Sequence, residues 1–368
     1  SWVMTNESFL KNQNVIDFLK LKTSYGVIGE QSGIGIYPGY TLFNINNQNN
    51  NISLSEDVIG NPDLTWETSK MFQIGTEIQF NKYVDVNIDY YVKNTDNLLF
   101  SRRAPIGLGF ALVDVNDGQL RNSGLEFDIN THVINKGDFK LDIALNGEIF
   151  NNELTTMPID PQTDQPKILD VDGAAGYGRA KGRSIYDFYM REWAGVDPSD
   201  GAPMWVAHYY DENNNGIFDE NAAERITSLF DYKIQNPDRQ ISKTTTKNYG
   251  DATEKFVGKT AIPKVRGGFR LSSSYKNFSI STQFLYSLGG YGYDYLYAGL
   301  MHSDKIGSNN WHKDIVNRWQ KPGDITDVPR LSNGVDIRSA SRYTRFLVKT
   351  DLLSFNNVRI GYNIPTKH

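Results

Sequence analysis

Apolar and polar residues alternate strictly over several stretches of this chain. In 71–80, Phe72, Ile74, Thr76, Ile78 and Phe80 fall on one parity, and Gln73, Gly75, Glu77 and Gln79 on the other. In 84–92, Val84, Val86, Ile88, Tyr90 and Val92 oppose Asp85, Asn87, Asp89 and Tyr91. The order returns in 124–133, with Leu125, Phe127, Ile129, Thr131 and Val133 against Glu126, Asp128, Asn130 and His132. It returns again in 139–149, with Phe139, Leu141, Ile143, Leu145 and Ile149 against Lys140, Asp142, Asn146 and Glu148. Successive side chains of a strand point to opposite faces, so each stretch predicts a strand with one apolar and one polar face. Shorter versions occupy 267–275, 278–286 and the Leu19, Leu21, Tyr25 series near the start.

The links between these strands are of two kinds. Those at 81–83, 135–138 and 276–277 are short and carry turn-forming Asn, Gly or Asp. Those from 93 to about 120 and from 150 to about 184 are long. A soluble sandwich would show turn signals every 8–12 residues, and no fixed-period repeat supports a propeller or solenoid. Tight turns alternating with long loops are the asymmetry of a transmembrane β-barrel. The expected fold is therefore all-β, part of a large antiparallel barrel with long external loops and no separate domain within 1–368. A secreted β-sandwich is the competing architecture, since its strands also alternate.

Composition sharpens this. No run reaches the 18 apolar residues of a membrane-spanning helix, yet a spanning strand needs only about 9–11 residues, half of them apolar. Mean hydropathy of −0.49 is compatible with polar loops and a wet lumen. Tyr 21, Phe 19 and Trp 6 make 12% aromatic residues, suited to a membrane–water boundary. The 38 Lys and Arg against 43 Asp and Glu give a net charge of −5, without the basic face a nucleic-acid binder needs. With no cysteine, disulfide scaffolds, thiolate metal sites and cysteine nucleophiles are excluded. The chain opens at Ser1 without a signal peptide, and its last strand pattern runs into Pro365, so it reads as a fragment of a longer protein.

Specific segments then carry a resemblance. Phe18 to Gly26 (FLKLKTSYG), Gly60 to Glu67 (GNPDLTWE) with Gln73 to Glu77, Asp89-Tyr90-Tyr91 with Leu98-Leu99, and Asn122 to Glu126 come first. Gly182 to Tyr189, Ala194 to Pro198, Ile262 to Gly268, Arg318-Trp319, Asp327 to Arg330 and Leu353 to Pro365 follow in order. Together they resemble the SusC/RagA-type TonB-dependent outer-membrane transporters of Bacteroidetes. The resemblance implies the later part of a 22-stranded barrel in the cell outer membrane, with the plug domain and TonB box outside these residues. It implies TonB-powered import of a bulky oligosaccharide or oligopeptide, a SusD-like lipoprotein lid and outer-membrane lipid as surroundings. A passive or adhesive barrel, or a secreted glycan-binding β-domain, is the competing function.

Candidate chemistry is sparse. The five histidines lack metal-ligand spacing, and no nucleophile elbow or P-loop is present, so a non-enzymatic role without a required cofactor is expected. Asp211, Asn213, Asn215, Ile217 and Asp219 follow the start of a calcium loop, in which oxygens at positions 1, 3 and 5 and a carbonyl at 7 converge. Position 12 is Ala222 instead of a bidentate Glu, so an Asn-rich turn is the alternative. Tyr291, Tyr293, Tyr295 and Trp311 are substrate-contact candidates, with membrane girdle or loop packing as the alternative.

Overall fold

The alternating stretches fold as eight long antiparallel strands, each hydrogen-bonded to the next along the chain. They are β1 (Ile16–Glu30), β2 (Glu67–Phe80), β3 (Val84–Arg103), β4 (Leu112–Lys136), β5 (Phe139–Thr156), β6 (Val265–Tyr275), β7 (Phe278–Leu288) and β8 (Leu352–Tyr362). A two-residue strand, Trp2–Val3, adds to the outer edge of β1 and completes a nine-stranded sheet. The computed structural model describes residues 1–368 except 32–35, 49–50, 104–111, 161, 174–175, 213–214, 217, 219–223, 304–305, 308–309, 337–340 and 366–368.

The short connections lie at one rim. Their tightness is visible in the left-handed backbone of Asn81 (φ 45°), Lys82 (φ 58°), Gly137 (φ 60°) and Lys276 (φ 50°). The opposite rim bears the connections 31–66, 157–264 and 289–351. One expected long loop is much shorter than its sequence suggested. Pairing of β3 with β4 continues from Lys93↔Asn122 to Arg103↔Leu112, so only 104–111 separates the strands. Strands that rise beyond an apolar surroundings into water lose the apolar parity that marks them, which is why pattern reading stopped at 93.

Register makes the two faces continuous, because directly paired residues of antiparallel strands share a face. Leu19, Ile78, Val86, Ile129, Leu145, Phe269, Phe284 and Phe355 form one apolar row across all eight strands. At the short-turn rim, Phe139, Tyr275, Phe278 and Tyr362 form an aromatic row. The rings of the last two meet at a tilt, with centroids 4.6 Å apart. An eleven-residue strand such as β7 is about 34 Å long, and a tilt of about 40° brings its height to about 26 Å, close to the apolar band of an outer-membrane barrel. A bulge between His132 and Ile134 transfers the outward position from Val133 to Ile134, which pairs with Leu141.

The dry core is elsewhere. Trp205, Tyr249, Ala252, Ala298, Met301, Ile315, Val328, Tyr343 and Phe346 cluster in a lobe built by 157–264 and 289–351. The first loop supplies a sheet of Trp193–Val196, Pro203–Tyr210, Glu224–Ile226 and Ile241–Thr246, flanked by α1 (Leu229–Gln235). The second supplies Tyr291–Tyr293 paired with Leu347–Lys349, and α2 (Tyr295–Leu300). Side chains of the strand wall are largely exposed on the apolar face, Ile280 by 46% and Ile360 by 74%. A face that broad is covered only when lipid is its solvent.

Candidate functional site

The polar faces of the strands line up as regularly as the apolar ones. Lys22, Gly75, Asp89, Glu126, Glu148 and Arg266 form one row across β1 to β6. Three neighbouring carboxylates repel one another, and the ends of the row are neutralised. Lys22 Nζ lies 3.3 Å from Asp89 and 3.3 Å from Glu77, and Arg266 lies 2.7 Å from Glu148. Tyr91 donates its phenol proton to Glu148 at 2.9 Å. The ring takes the space over Gly124, where a Cβ would come within 2.7 Å of it. Toward the short-turn rim, His132 bridges three strands, 2.6 Å from Asp142 through Nδ1 and 3.6 Å from Asp85 through Nε2.

Above the wall, sequence motifs that are far apart meet. The 182–185 segment docks on the top of β5. Leu154 exchanges backbone hydrogen bonds with Arg183 and Gly182, both at 2.8 Å. The Asn152 side chain accepts from Ser184 Oγ at 2.9 Å and Ile185 N at 3.0 Å, and donates to Asn122 at 2.7 Å.

The turn 197–201 clasps the second loop. Pro198 O accepts from the Trp319 indole at 3.1 Å and from Gly323 N at 2.8 Å, and Gly201 O accepts from Arg330 N at 3.0 Å. Arg330 also donates to Asp200 O at 2.9 Å and forks onto Asp336 at 2.9 and 3.0 Å. Lys247 joins Asp197 at 2.6 Å and Asp200 at 3.1 Å. The Lys247 hydrogen bond, with others from Ser199, holds the Asp197 carboxyl well below the usual range.

The four aromatic candidates from the sequence share this lobe but not one environment. Tyr293 donates to Ser341 O at 2.9 Å, and burial pushes its phenol upward. Trp311 donates to His302 O at 2.8 Å and packs on the core cluster. Tyr291 accepts from Lys259 at 2.8 Å, which draws its phenol downward. Tyr295 is 52% exposed and sits 4.7 Å from the Tyr293 ring.

In the Asn-rich loop, buried Asp211 accepts from Asn215 N at 3.2 Å, Gly216 N at 2.8 Å and Ser242 Oγ at 3.0 Å. Asn213, Ile217 and Asp219 lie outside the described residues. Among the described residues no three His, Cys, Asp or Glu side chains group to hold a metal. Sequence reading did not single out Trp205, Tyr343, Lys259 or Lys247. Their partners lie on another loop, and no local pattern announces such a contact.

The family model for the TonB-dependent receptor-like β-barrel matches residues 11–167. The chain is 29% identical to TonB-dependent receptor P3 of Formosa agariphila over 381 residues, covering 99% of this chain and 34% of that protein. It is 25% identical to TonB-dependent receptor SusC of Bacteroides thetaiotaomicron over 378 residues, 98% of this chain and 33% of that one. Along nearly its whole length the chain is similar to TonB-dependent receptors.

The chain spans about a third of the length of the curated relatives it matches. The RagAB peptide transporter superposes on 99% of the chain and 36% of its own, with a TM-score of 0.77 at 24% identity, a likeness of fold. The strand wall is thus outer-membrane barrel wall. Its apolar rows face lipid, its charged rows face the lumen, and the long-loop rim carries an extracellular lobe.

Proposed function

We propose that the chain forms the later wall and outer lobe of an importer for a bulky nutrient, an oligosaccharide or an oligopeptide. TonB supplies the energy, and a SusD-like surface lipoprotein closes the mouth. The observation that carries this reading is the pairing of a charged, water-facing wall with a mouth lobe that has its own packed core. A passive pore would need the first feature alone. A folded lobe above a wide lumen offers a fixed surface on which a large solute can be held before it passes. Transport of peptides by RagAB, whose fold resembles this one, agrees with import of an oligomer.

On this reading Tyr291 and Tyr295 contact the nutrient, and Tyr293 and Trp311 hold the shape of the lobe behind them. Uptake of a labelled oligomer by cells expressing the full-length protein tests the proposal. Uptake should stop on deletion of the gene and on collapse of the proton-motive force. Uptake that persists in de-energised cells would show a passive barrel instead.

A further inference from the structure

A crevice of about 260 Å³ opens at the seam between the two loops of the lobe, lined by Glu192, Lys255, Phe256, Lys259, Tyr291 and Thr344 among others. Its two lysines differ. Lys255 is ion-paired with Glu192. Lys259 donates to the Tyr291 phenol oxygen at 2.8 Å, and its ammonium lies 4.3 Å from the centre of the same ring. Among the described residues no carboxylate lies within ion-pair distance of Lys259. An aromatic ring therefore holds the ammonium in place without neutralising it.

The chemistry of the phenol follows from that bond. Its oxygen accepts from Lys259, so its own proton is directed elsewhere and is available to donate. Lys349 is the direct cross-strand partner of Tyr291 and lies on the same face, exposed. The nearby acid, Asp351, is engaged with Gly289 N at 2.6 Å. The Lys259 ammonium and the Tyr291 phenol thus meet in a crevice whose remaining wall includes Phe256, Val257 and Leu347, with Lys349 beside Tyr291 on the neighbouring strand. Such a set is preorganised for a carboxylate, with apolar wall for the unit that bears it.

We propose that Lys259, Tyr291 and Lys349 form a subsite for a carboxylate carried by the imported oligomer. This rests on the reading that the lobe meets the nutrient. The carboxylate can come from an acidic peptide residue or from an acid sugar, and calorimetry on the purified full-length protein separates the two. The probes are end-blocked Ala-Glu-Ala against Ala-Gln-Ala, and trigalacturonate against maltotriose.

At low salt the wild type should bind one acidic probe about tenfold more tightly than its neutral counterpart, as charge-assisted hydrogen bonds imply. Lys259→Met and Tyr291→Phe should each reduce that preference to about twofold, and high salt should shrink it too. Lys233→Met, on α1, should leave it intact. Protease resistance of the lobe checks that each variant is folded.

Equal binding of charged and neutral probes by the wild type, or absence of binding, overturns the subsite. So does a preference that survives in a folded Lys259→Met/Lys349→Met protein. Energised uptake without any charge preference removes the subsite and leaves import standing. Acidic-probe binding without energised uptake does the reverse.

Discussion

Replacing Trp205 with Ala should loosen the extracellular lobe and leave the barrel wall standing. Trp205 is fully buried, and its ring centroid lies 5.3 Å from Tyr249, 5.7 Å from Tyr343 and 6.1 Å from Trp193. Its indole N–H has no partner among the described residues, so truncation removes packing without breaking a hydrogen bond. Loss of a buried aromatic of this size costs about 3–5 kcal/mol. At about 1.4 kcal/mol per tenfold, the open lobe should become roughly 10²–10⁴ times more populated. When opening is fast relative to cleavage, proteolysis follows that population. Limited proteolysis of cells or detergent-purified protein should therefore cut 157–264 and 289–351 at least a hundredfold faster. The barrel should still migrate as a folded species on unheated gels. Trp205→Phe, which keeps an edge-to-face partner for Tyr343, should lie between. An unchanged cleavage rate would refute the lobe as a cooperative core, and simultaneous loss of the folded barrel would refute its independence from the wall.

Gly201→Ala should open the clasp between the two loops. Gly201 has φ 76°, and a Cβ there would run into the Trp319 ring, so backbone strain of about 1–2 kcal/mol adds to a clash. Hydrogen exchange should rise in 317–330 before it rises in the sheet of the first loop, and equal protection would count against the clasp. Acid should weaken the lobe in two windows. Burial, then the charge of Lys255, brings His208 down to about 4 from 6.5, so the stability it gives above about pH 6.5 is lost as pH falls toward 4. Asp197, depressed by Lys247, adds a loss that begins below about pH 4. Protease resistance against pH should show both limbs, and His208→Gln should flatten the upper one; an unaltered upper limb would sink the assignment. If the Asn-rich loop takes calcium, titration at millimolar calcium should give a heat that Asp211→Ala abolishes, and a flat wild-type titration would end that idea.

The wall was legible in the sequence because lipid and water impose opposite demands on alternate residues. The row from Leu19 to Phe355 is written into the chain as alternation, and pairing only aligns it. The strand extensions above Val92 were not legible, since polarity no longer alternates there. The lobe was hidden for a different reason. Trp193 stacks on Tyr343 at 5.2 Å although the two are far apart in the chain, and Thr344 Oγ1 accepts from Trp193 N. The motifs at 194–198 and 318–330 were visible as a resemblance, but only the structure brings them together as two halves of one clasp. The tyrosine cluster at 291–297 was visible as composition. Its division into packing and exposed members depends on partners such as Lys259 and Ser341 from other segments.

The two parts of the molecule are stabilised in different solvents, and their junction reflects this. The wall satisfies its backbone through the strand ladder and leaves its apolar face to lipid. The lobe buries aromatic side chains in water, as a soluble domain does. Contacts between them include directional ones: Asn152 with Ser184, Ile185 and Asn122, and Leu154 with the backbone of 182–183, where the Leu154 side chain is also fully buried. Buried amide hydrogen bonds of this kind fix position while adding only about 1 kcal/mol each. The arrangement suits a mouth whose shape is held over the lumen while, on the proposed reading, other residues form its binding surface. Lys259 and Tyr291 sit at the seam between the loops and contribute no buried core, so changes there should alter what is held without unfolding what holds it.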